Sequence, residues 1–196
     1  MTMTLNVTRT GTPAAAPVTL AEAKAHLRVD LADEDSYITA LIEVARVTAE
    51  DRLQRTLVST PWRLLADAFP ACGRALELPM APVLSVTQVQ YLDADGALQT
   101  MPDTDYLLAA TPLGHELALP PGGAWPSTQA HRPGAVTVTY TAGYGATAAS
   151  VPAPIRHWVL LAIGDLYHQR ERSADKPVVP QHFADGLLDP YKVWGV

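Results

Sequence analysis

VTLAEAKAHLRVDLADEDSYITALIEVARVTAEDRLQRTLVST, residues 18–60, contains no proline in a chain that has 17 prolines among 196 residues. A second run without proline spans residues 155–176, whereas ten prolines lie between Pro61 and Pro133. Because proline inside a helix removes a hydrogen bond and clashes with the preceding turn, the two runs predict helices, and the middle predicts strands, turns and loops. The sequence therefore predicts an α+β protein, an antiparallel-type bundle of N- and C-terminal helices with an inserted small antiparallel β domain.

Two helices are predicted in the first run. Thr19 and Glu22 have the spacing of a capping box, which favours a short helix from Thr19 to about Arg28. A second helix is expected from Asp33 to Gln54, because acids at its start interact favourably with the helix dipole and apolar residues follow at helical spacing. The other face of this helix is predicted to be solvated or to contact a partner, and it carries Glu43, Arg46, Glu50 and Arg55.

A third helix is predicted to begin at Val151–Pro154 and to end near Ser173. Proline suits the first turn of a helix, and the apolar residues that follow cover more than one face, which indicates burial on most sides. Asp165, beside Gly164, is the polar exception, and a buried carboxylate must be paired. Its candidate partners are Arg156, His168 and Arg170. The alternative is that Gly164 and Asp165 contact an identical subunit.

The middle of the chain is predicted to contain short strands, with a hairpin turn at Asp93–Gly96. The candidate strands are residues 62–66, 75–78, 83–92, 97–100, 106–108, 116–119 and 135–140. The predicted organisation is a flexible N-terminal arm (1–17), a helical part (18–60), an inserted β-rich domain (61–150), a second helical part (151–182) and a C-terminal tail (183–196). The tail is unusually apolar, because chain ends are commonly polar and frayed.

Composition disfavours several functional classes. The net charge of −6 argues against a protein that grips nucleic-acid phosphates, which requires an excess of Lys and Arg. The single cysteine, Cys72, excludes an internal disulfide or a cysteine-based zinc site. No apolar run reaches the length of a membrane span, and residues 1–17 lack a signal peptide's apolar core. The charged fraction of 17%, against about 25% in typical domains, indicates surface that is covered by other molecules.

Motifs for catalysis or cofactor binding are not found in the sequence. Asp93-x-Asp95-Gly96 lacks the later ligands of a calcium loop, and Gly143-Tyr144-Gly145 fits a strand exit rather than a phosphate or dinucleotide loop. The six histidines show no zinc-protease spacing, and no nucleophile elbow is present. We therefore expect no catalytic residues, no metal and no cofactor.

Several stretches together resemble the head–tail connector (adaptor) family of long-tailed phages, prophages and gene transfer agents. Their order and spacing carry the resemblance, and they are PVTLAEAKAHLRVD (17–30), Asp33–Asp35 with Ile38–Ile42, VTYTAGYG (138–145), VPAPIR (151–156), LYHQRE (166–171) and LLDPY (187–191). These stretches span nearly the whole chain, with the middle least specific.

The resemblance implies a non-enzymatic ring protein in the neck of a virion or phage-like particle, made in the host cytoplasm. The ring would have twelve copies, sit under the portal, extend the DNA channel and bind the next neck, stopper or tail protein. Double-stranded DNA would pass through it without tight binding, and no membrane is involved. Under this hypothesis the tail docks on the portal through Phe183, Leu187, Leu188, Tyr191, Val193 and Trp194. Contacts between subunits would use Glu43, Arg46, Glu50, Gly164, Asp165 and Arg170.

Two alternatives remain open at the level of sequence. One is a small β-barrel binding module or hydrolase flanked by helices, with Tyr106, His115, Glu116 and Trp125 lining a pocket, since loops often carry function. The other is a tail-terminator-type ring protein, which usually has six copies.

Overall fold

A computed structural model describes residues 5–112, 114–169, 184 and 186–193. The chain divides into two compact units. The β unit consists of Met1–Pro13 and Ser59–Gly143, and the helical unit consists of Ala14–Val58 and Tyr144–Val196. The protein is therefore a mixed α+β protein, as the sequence predicts.

Within the described residues, the helical unit contains α-helices that lie where the runs without proline predict them. Their bounds are α1 Leu20–Leu27, α2 Asp35–Leu53 and α3 Ala153–His168. All three pack on one apolar core, whose buried members include Val18, Ile38, Leu53, Leu57, Ile155, Val159 and Ile163. Because burying one such side chain stabilises a fold by about 1.5–3 kcal/mol, this core is what holds the helices together.

The start of α1 confirms the predicted capping box. The backbone N–H of Glu22 donates to the Thr19 hydroxyl over 3.2 Å, and the Glu22 carboxylate accepts from the Thr19 backbone N–H over 2.8 Å. These bonds satisfy N–H groups that have no partner within the helix. The helix ends at Arg28, whose φ of 58° is left-handed. Lys24 then connects α1 to the start of α2 by an ion pair of 2.6 Å with Asp35.

Among the residues that the structure describes, eight β-strands form two antiparallel sheets in the β unit. Their bounds are β1 Leu5–Arg9, β2 Thr60–Ala66, β3 Leu76–Leu78, β4 Val83–Leu92, β5 Leu98–Met101, β6 Leu107–Ala110, β7 His115–Ala118 and β8 Val136–Ala142. The five-stranded sheet has the order β1-β2-β8-β4-β5, and the three-stranded sheet has the order β3-β7-β6. Seven of these strands coincide, within about two residues at each end, with strands that the sequence predicts.

β8 lies at the centre of the larger sheet, between β2 and β4. Its residues alternate between buried and half-buried, and Val136, Val138, Tyr140 and Ala142 lie inside. The Tyr140 hydroxyl donates to the carbonyl of Pro79 over 2.8 Å, which satisfies the polar end of a buried ring. Burial raises the pKa of Tyr140 far above its ordinary value, so this phenol remains protonated and acts as a structural donor.

The turn predicted at Asp93–Gly96 is confirmed. One Asp93 carboxylate oxygen accepts from the backbone N–H groups of Asp95 and Ala97, and Gly96 has a φ of 84°, which favours glycine. These hydrogen bonds, with one from Gln99 as the largest contribution, lower the pKa of the Asp93 carboxyl. The Asp93 carboxylate is engaged by the turn itself, which supports a turn rather than a calcium loop.

The N-terminus differs from the sequence prediction of a flexible arm over residues 1–17. Leu5–Arg9 forms β1, which pairs antiparallel with β2 from Leu5 opposite Ala66 to Arg9 opposite Trp62. The Arg9 guanidinium lies 5.1 Å from the centre of the Trp62 ring, a cation–π contact that favours the same register. The first strand is ordered because it completes the edge of a sheet whose other strands lie far along the chain.

The division between units also departs from the predicted boundaries of 61–150 and 151–182. The β unit includes residues from the N-terminus as well as the central segment, and the helical unit resumes at Tyr144 rather than at Val151. Gly143 and Gly145 have positive φ angles of 135° and 157° at this point, so the strand exit predicted from Gly143-Tyr144-Gly145 is confirmed. Glycine is required there because other residues rarely adopt such angles.

Candidate functional site

Three predicted interface residues on α2 form one ion-pair cluster. Arg46 is a salt-bridge partner of both Glu43 and Glu50, and its Nε donates to a Glu43 carboxylate oxygen over 2.8 Å. The side chains of Arg46 and Glu50 are only 1% and 2% exposed, whereas Glu43 is 62% exposed. The cluster therefore runs from the interior of the helical unit to its surface.

The two carboxylates of this cluster favour the charged form of Arg46. Burial alone would lower the pKa of Arg46, but hydrogen bonds and the negative charges of Glu43 and Glu50 outweigh it and raise that pKa. Glu50 also accepts a hydrogen bond of 3.0 Å from the backbone N–H of Leu57. Through this hydrogen bond Glu50 joins α2 to the segment that follows it.

The prediction that Arg46 and Glu50 face solvent or another subunit is wrong. Both side chains lie within the helical unit, where charged groups are tolerated only because they are paired. Their spacing of four residues, with Glu43 three residues before Arg46, is a signal for such pairing that could have been used.

Sequence reasoning missed the face of α2 that is exposed. Val44 and Val47 are 48% and 40% exposed, and Ala40 beside them is also exposed. With Glu43 at its border, this is an apolar helix face, which we call the α2 outer face. Apolar side chains exposed side by side on a helix are typical of a surface that binds another protein.

Gly164 and Asp165, the neighbouring residues predicted to contact another subunit through α3, have different environments in the structure. A Cβ placed on Gly164 would lie 3.5 Å from Nε2 of His26, so the small residue faces α1 of the same unit rather than a second subunit. Asp165 is exposed, and its candidate partner Arg156 forms a salt bridge with Glu22 instead. Arg170 lies outside the described residues.

The C-terminal segment packs on its own helical unit. Leu188 is buried in the core, and Leu187 and Tyr191 pack against it half-buried. The backbone N–H of Val193 donates to the carbonyl of Leu53 over 3.1 Å, and Nε of Arg55 donates to the carbonyl of Tyr191 over 2.5 Å. Leu188 therefore has a hydrophobic environment within its own helical unit. Phe183 and Trp194 lie outside the described residues.

A cleft of about 420 Å³ lies on the β unit between two loops. Phe69 and Trp125 stack there with ring centres 4.8 Å apart, and Cys72 also lines the cleft. Of the four pocket residues considered in the sequence, Trp125 lines this cleft, whereas Tyr106, His115 and Glu116 do not. Nδ1 of His115 instead accepts a hydrogen bond from the backbone of Val83. The hypothetical pocket is therefore not assembled as predicted.

The described residues form neither of two further kinds of site, a metal site and a membrane-spanning helix. Within those ranges, no three His, Cys, Asp or Glu side chains are placed to hold a metal ion. Likewise, none of the described helices combines the length and the apolar character that crossing a membrane requires.

A family model matches the N-terminal part of the chain. Residues 17–81, which cover α1, α2, β2 and β3, match the family model described as Phage gp6-like head-tail connector protein. The resemblance to head–tail connectors is confirmed. No curated protein matches the chain in sequence.

Solved structures are similar to nearly the whole chain. A chain from the neck of an empty gene transfer agent particle, computed with C6 symmetry, matches with a TM-score of 0.78 and 25% identity, over 98% of this chain and 97% of the other. A chain from the neck of a native particle, computed with C12 symmetry, has a TM-score of 0.73 and 26% identity over the same shares.

A chain from the virion of a native gene transfer agent particle shares the fold, with a TM-score of 0.79 and 24% identity over 97% of this chain and 96% of that one. The connector family and these neck proteins are structural rather than enzymatic, so the prediction of a non-catalytic protein is confirmed by its relatives.

Proposed function

We propose that this protein is a head–tail connector subunit that forms a ring in the neck of a phage-like particle and joins the capsid to the tail. The observation that carries the proposal is the similarity to neck chains of gene transfer agent particles over 97–98% of the chain, in both units. The match of residues 17–81 to gp6-like connectors supports the same role independently.

The ring of this proposal has twelve copies, lies beneath the portal and extends the channel through which DNA leaves the capsid. A relative solved with C12 symmetry supports the copy number, and a twelvefold ring also obeys the C6 symmetry of the other neck structure. The net charge of −6 suits a channel wall that DNA passes without being held.

Lateral contacts in the ring are proposed to use the α2 outer face. Val44, Val47 and Ala40 offer apolar area, and Glu43 lies at its border with its carboxylate oriented by Arg46. A carboxylate held in one position suits a charged contact because little additional side-chain freedom is lost on binding. Asp165, exposed on α3, is a second candidate for such a contact.

Portal docking is proposed for the C-terminal segment, but without Leu188, because this side chain is buried in the helical unit. The described part of the segment is fixed to the helical unit as far as Val193, and the proposal keeps Trp194, which lies outside the described residues, as a docking residue. The exposed parts of Leu187 and Tyr191 would flank this contact.

The experiment that tests the function mixes the purified protein with its portal protein and images the complexes by negative-stain electron microscopy. We expect rings on one end of the portal with twelvefold symmetry, and no rings when an unrelated portal is used as a control. Six copies would instead indicate a tail-terminator-type protein, and a protein that stays monomeric beside intact portals would contradict the connector role.

A further inference from the structure

β6 forms an exposed apolar edge of the three-stranded sheet. Its sequence is Leu-Leu-Ala-Ala, without charge or proline, and Leu107 and Leu108 are 53% and 38% exposed. Within the described residues, β7 is its only strand neighbour. Natural edge strands are normally protected by charges, prolines or bulges, since unpaired backbone groups attract other strands. β6 has none of these protections apart from its short length.

The hydrogen-bond pattern shows which backbone groups of β6 point outward. Thr111 and Gly114 exchange hydrogen bonds of 2.9 and 3.2 Å at the end of the β6–β7 hairpin. Because bonded and non-bonded pairs alternate in an antiparallel ladder, Ala109 and Leu107 bond to β7 in the observed register. The N–H and C=O groups of Leu108 and Ala110 therefore point away from the sheet.

A second uncharged edge is present in the same unit, on β5 of the larger sheet. The backbone N–H of Asp93 donates to the carbonyl of Ala97 over 2.9 Å, so by the same alternation Gln99 and Met101 bond to β4. The groups of Leu98 and Thr100 then point outward, and Leu98 is 64% exposed.

The other two outer strands of the β unit differ from β5 and β6. β1 carries Arg9, and β3 carries Glu77. Charge on an outer strand discourages pairing with another chain, so β5 and β6 are the pair suited to a contact. Each of them presents two outward residues with the same spacing.

We propose that β6 of one copy pairs with β5 of the next copy around the ring. The inference rests on the proposed connector function. A rotationally symmetric ring needs two different, complementary surfaces on every copy, and this unit has two uncharged edges of matching length. A different protein that bound the β unit by strand pairing would need only one uncharged edge, so the presence of two favours pairing between identical copies. The neck relatives computed with C12 and C6 symmetry support copies placed side by side.

Site-directed cross-linking on assembled portal complexes tests the contact directly. In a Cys72→Ser background, Thr100→Cys and Leu108→Cys are combined and treated with a short bis-maleimide after rings have formed. We expect a ladder of covalent multimers of this chain alone. The matched control combines Asn6→Cys on β1 with Glu77→Cys on β3, and it is expected to give no ladder.

A backbone substitution provides the second readout. Ala110→Pro removes an outward N–H without removing a bond to β7, and proline is tolerated on such edges, so the melting temperature should stay close to that of the Ala110→Ser control. Ring occupancy on portals should fall about tenfold, because the lost hydrogen bond is repeated at every subunit contact.

The outcomes separate this contact from the connector function itself. Rings on portals without a covalent ladder, with Ala110→Pro assembling as well as Ala110→Ser, would overturn the strand contact and leave the connector role standing. Cross-links from these cysteines to the portal rather than to a second copy would also overturn it. If the wild-type protein forms no rings at all, the connector function fails and the strand contact fails with it.

Discussion

Replacing Arg46 by methionine is expected to destabilise the helical unit strongly. The substitution keeps an unbranched apolar chain in the interior but removes the Arg46 guanidinium from the Glu50 carboxylate, which is 2% exposed. Removing one partner of a buried pair costs about 3–5 kcal/mol, because the remaining charge is buried without compensation. Since whole domains are stable by about 5–15 kcal/mol, the variant should be near the limit of folding.

Two further variants separate the ion pair from simple packing. Arg46→Met combined with Glu50→Gln also removes the buried negative charge that lost Arg46 and keeps an acceptor for the Leu57 N–H, so we expect it to recover about 1–3 kcal/mol relative to Arg46→Met alone. Glu43→Gln is the matched control on the same cluster. Because Glu43 is 62% exposed, solvent screens its contribution, and the loss should be about 0–1 kcal/mol.

The assay is urea denaturation followed by far-ultraviolet circular dichroism, with hydrogen–deuterium exchange of the α2 amides to locate the loss in the helical unit. The order of stability should be wild type, Glu43→Gln, the double variant and then Arg46→Met. A free energy of unfolding for Arg46→Met within about 1 kcal/mol of Glu43→Gln would show that Arg46 is not a required partner of a buried charge.

Two other predictions concern the C-terminal segment and the start of α1. Leu188→Ala should lower the free energy of unfolding by about 2–5 kcal/mol in urea denaturation, because Leu188 is 4% exposed in the core; a loss no larger than that of Leu187→Ala would mean that the segment is not part of the fold. Hydrogen bonds from Thr19, the backbone one first, and the charge of Arg156 lower the pKa of Glu22. The stability from this depressed pKa is present above the pKa of the unfolded chain and is lost as the pH falls through the folded value. The difference in melting temperature between wild type and Glu22→Gln should therefore shrink on acidification from about pH 7 to about pH 3, and a constant difference would contradict the linkage.

Local signals account for the part of the fold that the sequence predicts well. Proline placement separates helices from strands because its backbone constraint does not depend on distant residues. The capping residues Thr19 and Glu22, and the turn at Asp93–Gly96, likewise depend on bonds between near neighbours in the chain. Such features can be predicted before any tertiary contact is known.

The errors concern features that depend on distant parts of the chain. Leu5 and Val7 alternate with polar residues, as a strand does, but their partner strand β2 lies more than fifty residues later. Arg46 and Glu50 are predicted on the surface because they are charged, whereas their burial depends on tertiary packing. The sequence predicts Leu188 in a docking tail. Its burial cannot be predicted locally, because the core that receives it is built by other helical segments.

The position of β1 has a consequence for any attempt to shorten this protein. The chain passes between its two units three times, and the first passage places the outermost strand of a sheet ahead of both N-terminal helices. A proteolytic nick near Pro13 would leave that strand held by non-covalent contacts, such as its ladder with β2 and the contact of Arg9 with Trp62, and its dissociation would expose a fresh sheet edge to aggregation. A single continuous fragment cannot reproduce the β unit, so a minimal version requires Leu5–Arg9 to be fused by a new linker to Thr60.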